Sequence, residues 1–252
     1  MAISNLKPAQ LERVNAGLLL SIIIPTLNEF ENLKILLPQI ATQINCIPAI
    51  RDSYEIIVVD DQTSPETMRL IEEFSTEYNI KILPSGTRRG LARSALEGFV
   101  QSRGAIALLM DGDGSHNPLY ISNILDPILD GKANISIGSR YTKGGKVEKW
   151  PLKRHIISKI CALLSHPLTG IKDSGSGFFA FKKDCVDFAK IKPKSWKIGM
   201  EIFTKFPNKV QETPIVFADR KFGESKFNFG TGYTFSKHLC GLYLFKIFGR
   251  KN

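Results

Sequence analysis

The sequence predicts an α/β fold, an open and mostly parallel twisted sheet with helices on both faces. Three observations predict it. Apolar runs of strand length are continuous instead of alternating, as expected of strands covered on both faces. Between them lie segments with apolar residues at helical spacing, so strand and helix alternate as right-handed crossovers require. The runs also close on polar residues, and in such sheets the carboxyl ends of the strands form the ligand edge.

Leu18 to Pro25, LLLSIIIP, is the first run, stopped by proline. NEFENLKILLPQIA follows, with Leu33, Leu36, Leu37 and Ile40 at helical spacing. YEIIVVDD reads as a second strand ending in acids, and Pro65 to Tyr78 as a second helix. IKILPS is a short third strand, GLARSALEGFVQSR a helix, and AIALLMD a fourth strand. Beyond residue 130 the alternation loosens. ANISIGSRY predicts a strand, GGKVEKW a glycine-rich loop with exposed basic residues, and Leu152 to Ser165 a helix. SGFFAFKKD predicts a further strand, and QETPIVFADRKFGESK a strand running into a basic loop. Without a repeat, a low-complexity stretch or a linker, this reads as one body over 18–230, with an extension at 1–17 and a tail at 231–252.

At 252 residues and 43% hydrophobic content the chain can bury a core of its own. Lysine and arginine outnumber aspartate and glutamate by 34 to 24, a formal charge of +10 that suits a polyanionic partner or simple surface solubility. Cys46, Cys161, Cys185 and Cys240 lack CxxC or zinc spacing and read as buried thiols of a reducing compartment. No signal peptide is visible, and no stretch reaches the roughly 18 apolar residues of a spanning helix. The tail, YTFSKHLCGLYLFKIFGRKN, is broken by Lys237, His238 and Lys246. It reads either as an amphipathic helix on a membrane or as a terminal helix packed on the body.

The strand ends carry the chemistry. The first delivers Pro25, Leu27 and Glu29, the second Asp60 and Asp61, the fourth Asp111 and Asp113, all toward one edge. Two carboxylates one residue apart repel unless a cation or donors compensate. A DxD at a strand end suits magnesium or manganese bridging a diphosphate, which needs hard oxygen ligands. Asp-Gly-Asp-Gly is also turn chemistry, but a calcium loop is excluded because no glutamate occupies its twelfth position. Arg140 and Arg220 each follow an apolar strand and so stand on the same edge as the acids.

IIIPTLNEFENL, EIIVVDDQTSPET, RRGLARSALEGF, LLMDGDGSHNP, IGSRY with a later GG and W, DSGSGFFAF and PIVFADRKFGESK occur in the order found in polyprenyl-phosphate glycosyltransferases. Over about residues 18 to 230 the chain resembles this group, the dolichol-phosphate mannosyltransferase type within inverting glycosyltransferase family 2. The resemblance implies the GT-A fold, a Rossmann-like nucleotide-binding sheet, with 18–230 as catalytic domain.

It further implies a metal-dependent transfer of a sugar, mannose from GDP-mannose, to a polyprenyl or dolichyl phosphate. Pro25, Leu27, Glu29, Val59 and Asp61 would hold base and ribose, and Asp111, Gly112 and Asp113 the diphosphate. Mg2+ or Mn2+ would sit on Asp111, Asp113 and Ser115. Arg140, Arg220 and Lys226 would grip phosphates, with Asp113, Arg140 and Arg220 central to catalysis. Arg154 and Ser158, four residues apart on one helical face, match positions facing the acceptor phosphate. The family pattern DADLQH reads DGDGSH here, so Ser115 replaces a glutamine that helps hold the metal. A serine hydroxyl is shorter and a weaker ligand.

The implied reaction is an in-line displacement by an already ionised phosphate, which needs no strong base; no histidine is clearly placed as one. The implied partners are the nucleotide sugar, the lipid phosphate, and a membrane surface or membrane-embedded subunit reached from the cytosolic face. Two alternatives stand: a UDP-sugar donor such as UDP-glucose or a glycan acceptor, and a non-catalytic basic nucleotide- or nucleic-acid-binding protein. The chain has no aromatic-basic RNA motif or helix-turn-helix signature, so nucleic acid is not an expected partner.

Overall fold

A computed structural model of the chain describes residues 18–85, 90–148, 150–193, 195, 197–218 and 229–249. The chain enters β1 (Leu20–Thr26), α1 (Phe30–Asn45), β2 (Tyr54–Asp60), α2 (Pro65–Phe74), β3 (Ile80–Pro84), α3 (Leu91–Gln101) and β4 (Ile106–Leu109). It continues through α4 (Ile121–Leu129), β5 (Ile135–Ser139), β6 (Lys146–Val147), α5 (Leu152–Thr169) and β7 (Phe179–Lys182). α6 (Ile198–Lys205), β8 (Val210–Pro214), β9 (Val216–Phe217) and α7 (Phe229–Phe248) complete it. The main sheet has seven strands in the order β3-β2-β1-β4-β7-β5-β8, and β6 pairs with β9 in a separate ribbon. Within the main sheet only β7 runs antiparallel to its neighbours, β4 and β5. The expected α/β architecture is therefore present.

The continuous apolar runs form strands buried at every position, in β1 and β2 alike. Strand side chains alternate between faces. Ile22 and Ile24 pack with Leu33, Leu37 and Ile40 of α1 and Ile124 of α4, while Ile23 packs with Ala95 and Phe99 of α3 and Ile202 of α6. Each fully buried isoleucine of this kind stabilises by about 1.5–3 kcal/mol. Both faces are thus helix-covered, which pins β1, β2 and β4 in register with their carboxyl ends on one edge.

Some local expectations differ. α2 begins at Pro65, capped by the Ser64 hydroxyl 3.2 Å from the Thr67 amide, but ends at Phe74 and not Tyr78. Ser75 and Thr76 donate back to the carbonyls of Glu72 and Glu73 at 2.7 and 2.8 Å, which competes with further helix. The glycine-rich GGKVEKW is not wholly loop, because the Lys146 and Glu148 amides donate to Ile215 and Phe217 and so build the ribbon. The cysteines are not buried: Cys46, just past the end of α1, and Cys240, on α7, are exposed, and Cys161 and Cys185 are half-buried.

The tail helix α7 docks on the body through Phe235, Leu239 and Leu242 against Leu168 and Met200. Tyr243 donates to the Leu164 carbonyl, and Lys246 to those of Pro167 and Leu168. Beneath it, His238 lies 2.6 Å from the Ser195 hydroxyl and 3.6 Å from the Glu201 carboxylate. Burial opposes ionisation of Glu201, but His238, Lys205 and the Lys192 amide outweigh it and hold the group down to about 2. Its stabilising effect is therefore complete above the ordinary carboxylate range and lost only as pH falls toward 2. Tyr233, Leu244, Ile247 and Phe248 remain exposed on the same helix. Among the described residues no helix is long and apolar enough to cross a membrane.

Candidate active site

β1 ends in a turn at Asn28, whose φ of 58° is left-handed, a conformation asparagine tolerates better than most residues. Glu29 follows and accepts from the Asn32 amide at 2.7 Å. At the end of β2, Asp60 accepts from the Thr26 hydroxyl at 2.9 Å. Asp61 accepts from the Gly90 amide at 2.7 Å and the Ser94 hydroxyl at 3.3 Å, which places a carboxylate at the N-terminus of α3. Pro25 and Val59 face each other across the β1–β2 pairing and are buried. The Val59 side chain lies in the core with α3, so a nucleotide could meet only its backbone. Of the five residues expected to hold base and ribose, Leu27 and Glu29 are the two with partial exposure.

Past β4 the two acids differ. Asp113 is buried, and one of its oxygens accepts both the Ser115 amide at 3.0 Å and the Ser115 hydroxyl at 2.6 Å. Ser115 thus orients Asp113 from beneath. Asp111 is more open, with its side chain 27% exposed, and lies 3.4 Å from Nε2 of His116. His116 is enclosed by Phe178 and Phe217, with ring centroids at 5.1 and 4.9 Å. Asp111 lies flat against Gly177, where any Cβ would meet its oxygens at 2.5 and 2.8 Å. Gly112 is equally constrained, since a Cβ there would meet the Thr26 methyl at 2.6 Å.

Among the described residues no three His, Cys, Asp or Glu side chains gather as a metal cluster. Two hard carboxylates, one of them partly open to solvent, fit magnesium or manganese when phosphate oxygens and water supply the other positions.

β7 is antiparallel, so the segment before it meets the same edge that β5 reaches at Arg140. There Asp173 takes the Arg140 fork at 2.8 and 2.7 Å, and its backbone amide at 2.9 Å. Both residues are buried. Burial opposes both charges, yet each holds the other ionised: Asp173 is pushed below the usual carboxylate range and Arg140 above its own. The rings of Tyr141, Trp150 and Phe217 lie 5.3, 5.5 and 5.3 Å from the guanidinium. Two of the fork's nitrogens, expected on a phosphate, are thus committed to Asp173.

In sequence Asp173 is one acid of DSGSGFFAF with no evident role, and Lys197 is one lysine among many. Lys197, half-buried, lines a small cleft with Asp111, Ser176 and Gly177, and its ammonium donates to the Gly175 carbonyl. Burial and the Arg140 charge hold it down to about 8, against the opposing pull of Asp111 and Asp173. A depressed lysine loses its charge above that value, so if Lys197 helps hold an anionic ligand in this cleft, affinity for that ligand should fall above pH about 8. Lys197→Met should then remove the pH dependence; an unchanged profile in this variant would exclude the role.

Arg154 and Ser158 lie one turn apart on α5. The Arg154 guanidinium stacks 4.0 Å over Trp150, and Ser158 accepts from the Tyr141 hydroxyl at 2.7 Å. His116 beside Asp111, then Phe217 and Trp150 in successive ring contacts, link the acid pair to Arg140 and Arg154. Arg220 and Lys226 lie outside the described residues.

A family model described as Glycosyl transferase family 2 matches residues 21–195, most of the chain. The chain belongs to glycosyl transferase family 2. Among family relatives, a dolichol-phosphate mannosyltransferase of Pyrococcus furiosus is 37% identical over 88% of this chain. The chain spans only 63% of that relative's length. A polyprenol monophosphomannose synthase of Mycolicibacterium smegmatis is 30% identical, covering 82% of this chain and 80% of its own. Among solved structures, glucosyl-3-phosphoglycerate synthase from Mycobacterium tuberculosis, in complex with Mn2+ and UDP-glucose, superposes with a TM-score of 0.57 at 14% identity. That alignment covers 96% of this chain and 83% of the other, and it shows a shared fold.

Proposed function

We propose that this glycosyltransferase moves mannose from GDP-mannose to a polyprenyl or dolichyl phosphate with inversion. The observation that carries the reading is the approach of Arg140 to Asp111 on the edge where the acid pair stands, with Arg154 stacked on Trp150, a ring that also neighbours Arg140. The similarity to relatives named for polyprenyl-phosphate mannosyl transfer supports it.

Asp111 and Asp113 would hold magnesium or manganese with the donor diphosphate, and the cation would supply charge stabilisation for the leaving group. The solved relative with Mn2+ supports that cofactor class. Leu27, Glu29 and Asp61, with the backbone of Pro25 and Val59, form the nucleotide wall. Arg154 and Ser158 would orient the acceptor phosphate, with Arg220 and Lys226 proposed as further phosphate contacts. An ionised acceptor oxygen attacks the anomeric carbon as the carbon–oxygen bond to the diphosphate breaks, and its electron pair leaves with the diphosphate. No proton need move, so positioning and fixed charge perform the catalysis. Arg140, held rigid by Asp173, and Lys197 supply that fixed positive charge.

The acceptor also places the enzyme at a membrane. The outer face of α5 presents Leu152, Ile156, Ile160 and Leu163, all exposed. Beside it Leu244, Ile247 and Phe248 of α7 are exposed too. Such a surface fits peripheral contact from the cytosolic side.

The decisive experiment offers labelled GDP-mannose and labelled UDP-glucose, each with a polyprenyl phosphate and Mg2+ or Mn2+. Lipid-linked mannose is expected, and none after chelation. Lipid-linked glucose instead would replace the donor; no lipid product from either would overturn the reading.

A further inference from the structure

α5 carries no acidic residue along LKRHIISKICALLSHPLT. Next to its apolar stripe runs a second stripe, His155, Lys159, Ala162 and His166, at spacings of four, three and four. This second stripe lines an open cleft of about 580 Å3, whose other wall includes Arg140, Tyr141, Thr142, Lys146 and Lys172. Lys159 and Lys172 are exposed, and among the described residues neither side chain has an acidic partner. Acids on the flanking segments are already engaged. Glu148 pairs with Lys146 at 3.0 Å, Asp173 holds Arg140, and Glu212 accepts from Ser139 and the amides of Lys172 and Asp173.

The cleft is therefore cationic, and Ala162 and Leu163 carry it into the apolar stripe. Long lysine stems beside a stripe of exposed leucine and isoleucine suit an anionic group held at the water–lipid boundary, with acyl chains covering the stripe. A free phosphate would make no use of that stripe. Arg154 and Ser158 engage Trp150 and Tyr141 from another side of α5 and do not line the cleft, which shares Arg140 and Tyr141 with the proposed acceptor wall.

We propose that this cleft seats the anionic headgroup of a membrane phospholipid, a second phosphate site that sets how α5 lies on the bilayer. The proposal rests on the reading of α5 as the membrane face.

Co-sedimentation of the full chain with phosphatidylcholine vesicles, with and without phosphatidylglycerol, tests it. Wild type should prefer the anionic vesicles. Lys159→Gln and Lys172→Gln should each weaken that binding about fivefold, since a lysine near an anionic surface contributes roughly 1 kcal/mol. Neither should alter binding to neutral vesicles or thermal stabilisation by GDP-mannose. Lys34→Gln, on exposed α1 surface, should change little. An equal loss with Lys34→Gln means diffuse attraction and overturns the site. Equal wild-type binding to both vesicles overturns it as well, while leaving the membrane reading intact. Binding to neither vesicle removes both. If Lys159→Gln and Lys172→Gln instead abolish transfer to a short water-soluble acceptor phosphate without vesicles, the cleft belongs to the acceptor and the proposal fails.

Discussion

Asp113→Ala should lower kcat for sugar transfer by about three orders of magnitude if Asp113 holds the proposed cation, because such a cation would contribute several kcal/mol and each 1.36 kcal/mol is tenfold. Asp113 is the more enclosed of the two acids, and two donors from Ser115 fix one of its oxygens. Its removal leaves Asp111 as the sole carboxylate of the pair. The fold should suffer little: the orphaned Ser115 donors cost about 1–3 kcal/mol, partly offset by relief of carboxylate repulsion. Ser115→Ala makes the companion measurement. If the serine acts by orienting Asp113, its loss should weaken apparent metal affinity about 10- to 100-fold, and excess Mn2+ should restore the rate. Full transfer by Asp113→Ala would remove the metal role. Failure of excess metal to rescue Ser115→Ala would show that the hydroxyl does more than orient.

The main sheet was legible because its message is local. LLLSIIIP and YEIIVVD are apolar at almost every position, and only a strand covered on both faces uses such a run. The acids at the ends of β1, β2 and β4 were legible for the same reason, since parallel neighbours must end on one edge. What was not legible depends on pairing across long separations. Nothing in SGFFAF reveals that β7 inserts antiparallel between β4 and β5, and only that insertion brings Asp173 to Arg140, 33 residues away. In sequence Arg140 therefore has the look of an open phosphate grip, although two of its nitrogens are bound within the protein. Lys197 is less visible still, one lysine among many until α6 folds beneath Asp111. Ser115 was recognised as a departure in sequence, but its hydrogen bonds to Asp113 could be seen only in three dimensions.

Asp173→Asn should cost about 3–5 kcal/mol of stability, because it leaves the buried Arg140 charge without a counter-ion. At about 2–4 °C per kcal/mol for a chain of this size, melting should fall by roughly 10 °C. The fork contacts at 2.8 and 2.7 Å and the third bond to the Arg140 amide make this the most completely engaged charge pair at the site. Replacing both residues with apolar ones, Arg140→Met with Asp173→Leu, should recover most of that loss, since a buried pair costs nearly as much desolvation as it returns in attraction. The single and double variants form a cycle; if their losses simply add, the two residues are not coupled. The same cycle separates scaffold from chemistry. On the proposed function, the double variant should fold yet transfer far more slowly, because Arg140's share of the fixed positive charge is gone while Lys197 remains beside Asp111. Undiminished transfer by a folded double variant would assign the pair to architecture alone and leave Lys197, Arg154 and the metal to carry the charge stabilisation. Acid should mimic the single variant in stability: Asp173 is held below its ordinary range, so its contribution persists through neutral pH and is lost only as pH falls beneath the usual carboxylate values.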